Sequence, residues 1–329
     1  MKKISILCLV LVFAVNLAKA DDKKITSPDG KLEVTVSINS GIPFYSVSYN
    51  GKVFLKPSPI GVNTNVGDFT KDITPGDTIG VKKIEETYSL PNIKKSKVLY
   101  QANEGVFKFS KNGKPAFDAI FRISNNDVAF RYKVYPQKDR LSCVVNEEST
   151  GFVFPAGTTT FLCPQSKTMV GFARTMPSYE TSYTADVPMG QNGHDNNGFT
   201  FPCLFKVGAQ GWVLISETGV DSRYCGSRLM GRADGLYTIG FPMEGENNGN
   251  GTASPGIALP GFTPWRTITV GETLAPIVET TVAFNVVEPL YAASQKYEHT
   301  KGSWSWIMKM DGATVYDVQK QYIDFSAAM

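Results

Sequence analysis

The chain has 329 residues, 42% of them hydrophobic and 19% charged, enough apolar material to bury the core of one large domain. Its 33 Lys and Arg face 30 Asp and Glu, and loss of Lys2, Lys3 and Lys19 with a leader would bring the two to parity. A neutral chain has no electrostatic footing for nucleic acid or an anionic membrane, so neutral molecules are the expected partners.

Residues 1–20 have a logic of their own. Lys2 and Lys3 form a basic start, Ile4 to Val15 is almost wholly apolar, and Ala18-Lys19-Ala20 has the small-x-small pattern that a signal peptidase cleaves. This reads as a secretory signal cleaved near Ala20. The apolar run is shorter than the ~20 residues of a spanning helix. Cys8 lies inside the run and not at its end, so no lipid anchor is expected. The protein is therefore expected to be exported, to the periplasm, without membrane attachment. Of the remaining cysteines, Cys143, Cys163, Cys203 and Cys225, none forms a C-x-x-C pair, which argues against a zinc site. An even count permits disulfides, and four buried thiols acting as small hydrophobes are the alternative.

The β signal begins with the mature chain. Leu32, Val34, Val36 and Ile38 alternate with polar neighbours, as do Tyr45, Val47 and Tyr49, and Asn50-Gly51 predicts a tight hairpin into Val53 and Leu55. Phe107 and Phe109 lead to a second turn at Asn112-Gly113. Phe117, Ala119, Phe121 and Ile123 then alternate up to Asn125-Asn126-Asp127, and Val128, Phe130, Tyr132 and Val134 run back. Hairpins in this number predict antiparallel sheets packed in two layers. Short apolar runs with frequent Gly and Pro continue over residues 152–241. The glycine-rich stretch 244–251 reads as a solvated loop.

After Phe284 the character changes. Pro289 can open a helix, and Leu290 to His299 reads as a short helical connector. Ser303-Trp304-Ser305-Trp306-Ile307 reads as a strand. Val315, Val318, Tyr322 and Phe325 recur at helical spacing, predicting a helix over about 314–329. One strand and one helix cannot bury each other's apolar faces, so the chain is expected to stop inside a further domain.

Several blocks together carry a resemblance. Thr263-Pro264-Trp265-Arg266-Thr267-Ile268, Lys301-Gly302-Ser303-Trp304-Ser305-Trp306 and Gln319 to Phe325 are similar to the domain junction of glycoside hydrolase family 97. Ser27 to Lys31, Gly41 to Tyr49 and Pro177 to Tyr183 resemble earlier parts of that family. The resemblance implies a mainly β chain: an antiparallel β-super-sandwich over 21–285, a connector over 286–300, and the first βα unit of a truncated (β/α)8 barrel over 301–329. It further implies the front of a calcium-dependent, exo-acting α-glucosidase or α-galactosidase acting on neutral oligosaccharides. The catalytic carboxylates are expected beyond residue 329, so the chain alone should be inactive. Glu180 is implied as a ligand of Ca2+, whose shell of hard oxygens a carboxylate suits.

Trp304 and Trp306, alternating on the expected strand, are candidate sugar contacts. Arg266 is expected to brace the domain junction through its planar donors. His194-Asp195 reads as loop decoration, because neighbours in an extended strand point to opposite faces. Two other readings compete. One is a free-standing carbohydrate-binding sandwich. The other is a mutarotase-like epimerase, poorly served by a chain whose histidines are His194 and His299.

Overall fold

In the computed structural model, residues 22–90, 93–165, 184–190, 196–231, 234–243, 245–250, 252–291, 294–295, 297–298, 300 and 302–329 are described. They form two compact units that divide between Val287 and Glu288.

The first unit is antiparallel β-structure, as the alternation predicts. Leu32–Asn39 pairs with Ile42–Tyr49, which pairs with Lys52–Pro59. The turn between the last two has Asn50 at φ 50° and Gly51 at φ 73°, the left-handed conformations that Asn-Gly adopts at low cost. Asn112 and Gly113, at 51° and 72°, repeat the device. A larger ladder runs, neighbour by neighbour, through Thr74–Ser89, Lys97–Lys111, Lys114–Ile123, Asp127–Val134, Trp265–Gly271, Gly211–Thr218, Phe199–Val207 and Thr158–Pro164. From Lys52–Pro59 the first ladder continues through Gly151–Val153 and Leu236–Gly240 to Arg228–Gly231. Phe199 pairs with Leu229 and joins the two ladders at one edge.

The inner faces meet in an aromatic core. The Tyr45 ring lies 5.1 Å from Phe130 and 6.1 Å from Phe121, so the hairpin strand Ile42–Tyr49 packs on the strands of the second ladder. Each such fully buried ring stabilises by roughly 1.5–3 kcal/mol. Trp265–Gly271 is buried along its whole length. Helical turns Ala275–Glu279 and Val282–Asn285 follow it, and Val282 and Val286 cluster with Trp265 and Ala129.

The second unit differs from its expected form. The expected strand at 303–307 is not one: Trp306–Lys309 is a short helix, and Met308 and Lys309 both donate their amides to the Ser305 carbonyl. A lone strand has no neighbour for its backbone groups, so this segment satisfies them locally. Among the described residues the opening strand of a barrel is therefore not seen. The described residues within 290–299 carry no helix either. The terminal helix is present over Tyr316–Ala328. Gln319 ties it to the Ser305 hydroxyl at 2.8 Å and the Ala313 carbonyl at 2.6 Å.

Candidate functional site

The densest concentration of charge in the first unit lies inside it. Adjacent residues in a strand point to opposite faces, and Trp265-Arg266 shows the consequence. Arg266 turns inward and is only 1% exposed. Its Nε donates to Glu148 Oε1 at 2.8 Å and its Nη2 to Oε2 at 2.6 Å, a bidentate fork. Its Nη1 donates to Glu217 and, at 2.9 Å, to the Ser227 hydroxyl. Thr150 and Tyr224 each donate to Glu148 at 2.8 Å. Tyr132 shares a 2.6 Å contact with Thr150, and Ser227 closes the circuit onto Glu217.

Burial opposes ionisation of Glu148, but the Arg266 charge and the converging hydrogen bonds outweigh it and hold the carboxyl below its usual range. For Arg266, burial works against the charge and Glu148 restores it, leaving the guanidinium more basic than usual. Tyr224 is pushed up by burial and then by the Glu148 charge. The cluster is a closed structural network. Glycoside hydrolysis needs two carboxylates facing a sugar, and here both are committed to one buried arginine. Arg266, expected to brace the domain junction, instead has its partners Glu148, Glu217 and Ser227 inside the first unit.

Trp265 turns to the opposite face of the strand, where it too is buried, and carries two cations. Arg131 sits 4.3 Å and Arg122 5.2 Å from its ring. Arg122 is paired with Glu104 at 2.7 Å. The glycine-rich stretch also departs from a solvated loop. It contains a 3-10 turn, Glu246–Gly249, and Glu246 pairs at 2.6 Å with the buried Arg228. Cys143, Cys163, Cys203 and Cys225 are free thiols. Burial raises Cys143 to about 11, which makes it a poor nucleophile near neutral pH.

Comparison with known proteins places this architecture. The family model described as Glycosyl-hydrolase 97 N-terminal matches residues 25–289. The chain belongs to this family. A probable retaining alpha-galactosidase of Streptomyces bingchenggensis is 25% identical over 92% of this chain and 43% of its own length. A retaining alpha-galactosidase of Bacteroides thetaiotaomicron is 22% identical over 100% of this chain and 52% of its own. Among solved structures, a beta-arabinopyranosidase superposes with TM-score 0.89 at 53% identity, covering 94% of this chain and 49% of that one. A family 97 enzyme of a Pseudoalteromonas species in complex with panose shares the fold at TM-score 0.69 and 20% identity, covering 93% of this chain and 46% of that one. The chain thus spans about half the length of the relatives it matches.

Within this family 97 chain, the candidate residues are scattered. Glu180, His194, Asp195 and His299 lie outside the described residues. Trp304 is 69% exposed outside any regular element, and Trp306 opens the short helix, so strand alternation does not align the two. Among the described residues, no group of three or more His, Cys, Asp or Glu could hold a metal, so they do not by themselves build a calcium site. No helix among them is long and apolar enough to cross a membrane. Sequence reasoning missed Glu148, Glu217 and Tyr224. Glu148 and Arg266 are 118 positions apart, and neither carries a local signal of the other.

Proposed function

We propose that this chain is the N-terminal part of an exported, exo-acting glycosidase whose catalytic carboxylates lie beyond residue 329. The observation that carries the reading is the family match over 25–289. It is joined by relatives about twice as long that are named as glycosidases. On this reading the first unit is a scaffold, which accords with Glu148 and Glu217 being locked in an internal network. Glu180 would supply one carboxylate to a calcium ion whose other ligands come from elsewhere in the longer protein. Trp304 and Trp306 would contact sugar there through their apolar faces. Export to the periplasm rests on the leader-like pattern of residues 1–20.

The relatives also narrow the substrate. β-L-Arabinopyranose is α-D-galactopyranose without its exocyclic hydroxymethyl group, so an arabinopyranosidase and two alpha-galactosidases share one ring stereochemistry. We therefore favour galacto-configured glycosides, with an oligosaccharide carrying such a terminal unit as substrate, over glucosides. The test is an assay of the longer protein on nitrophenyl β-L-arabinopyranoside, α-D-galactoside and α-D-glucoside. The first two should be cleaved at least about tenfold faster than the third, a difference of about 1.4 kcal/mol in transition-state binding. Preference for the glucoside would refute the stereochemical part. Hydrolysis by the 329-residue chain alone would refute the placing of the catalytic pair beyond it.

A further inference from the structure

A second arginine stands in a different situation from Arg266. Arg131, on the strand Asp127–Val134, is held between two rings, 4.2 Å from Phe262 and 4.3 Å from Trp265. Its Nε is buried without a hydrogen-bond partner. Among the described residues no carboxylate pairs with it. Burial, and then the neighbouring Arg122, lower its basicity to about 10. Glu104 offsets part of this, but it is salt-bridged to Arg122, and a half-buried cation without a carboxylate of its own is costly.

Arg131 also lines a cavity of about 340 Å³, together with Asp221, Arg223, Tyr224, Phe262 and Pro264. That volume is near the lower bound of small-molecule sites, roughly 300 Å³, and suits one ring. Asp221 is already engaged, accepting from the Arg223 Nε at 2.9 Å and from the Arg223 amide at 2.8 Å. The wall therefore presents two guanidiniums and one neutralised carboxylate, a net charge for a monoanion. Phe262 is 43% exposed, which gives an apolar surface beside the charge.

We infer that this cavity binds a uronic acid residue, its carboxylate on Arg131 and its ring against Phe262. A planar carboxylate can take the guanidinium fork in two parallel hydrogen bonds. The sugar's C–H face suits the aromatic surface. The site belongs to the sandwich itself and holds whether or not the longer protein is a glycosidase, because it is read by binding and not by turnover.

The experiment is calorimetric titration of the full chain with methyl α-D-galacturonide, methyl α-D-galactoside and sodium acetate. The uronide should bind about tenfold or more tightly than either the neutral sugar or acetate, as expected when a charge-assisted pair and a ring contact act together. Arg131→Gln should weaken the uronide about tenfold, and Phe262→Ala should weaken the uronide while leaving acetate unchanged. Should Arg131→Gln fail to fold, the comparison of the three ligands on the unaltered chain still decides. Equal binding of uronide and galactoside overturns the proposal. So does acetate binding as well as the uronide, or an uronide affinity untouched by Arg131→Gln.

Discussion

At the scale of single residues, the first unit rests on how its buried charges are paired. Arg266→Met would strand the Glu148 charge in the core, at a cost of roughly 3–5 kcal/mol, read as a lowered denaturant midpoint. The pH dependence has a definite sign. The folded-state pKa of Glu148 is depressed below the ordinary 4.5, so its pairing contributes stability that is present above 4.5 and lost as pH falls through the folded value. Glu148→Gln should flatten that acid limb in urea titrations run across the range. An unchanged limb would show that other carboxylates dominate. None of this network was legible in the sequence. Trp265-Arg266 stood out as a pair, and strand alternation alone says they part company, but which one turns inward depends on strands contributed from elsewhere in the chain.

At the scale of elements, what was legible was local. The alternation of Leu32, Val34 and Val36 and the Asn-Gly turns at 50–51 and 112–113 became strands and hairpins because their determinants lie within a few residues. The segment around Trp304 and Trp306 had apolar alternation too. A strand is completed only by its neighbours, and this one closes on itself as a helix. Close strand approach was equally invisible. Gly211 has φ 144°, and a Cβ there would fall 2.2 Å from the Gly271 carbonyl oxygen, whereas a Cβ on Gly113 meets nothing within 4 Å. Gly211→Ala should therefore destabilise clearly more than Gly113→Ala. The latter bears only the strain of its left-handed backbone, about 1 kcal/mol. Equal thermal shifts for the two variants would contradict the close packing of Gly211–Thr218 against Trp265–Gly271.

At the scale of the whole molecule, a β domain whose Glu148 and Glu217 are locked on one buried arginine reads as a support for chemistry done elsewhere. The family match, the glycosidase activities named for the relatives and their roughly twofold greater length point the same way. The mainly β, antiparallel character followed from periodicity. The family came from several short blocks read together, since an ordered series of motifs is far more specific than any one of them. The calcium ligand, the sugar contacts and the barrel remain proposals because each needs a partner segment to complete it. The most direct measurement is to read the coding frame onward from codon 329. The account predicts an open frame encoding repeated strand-helix units with Asp or Glu at strand ends. A stop codon directly after Met329 would contradict it, and the free-standing sugar-binding sandwich would take its place.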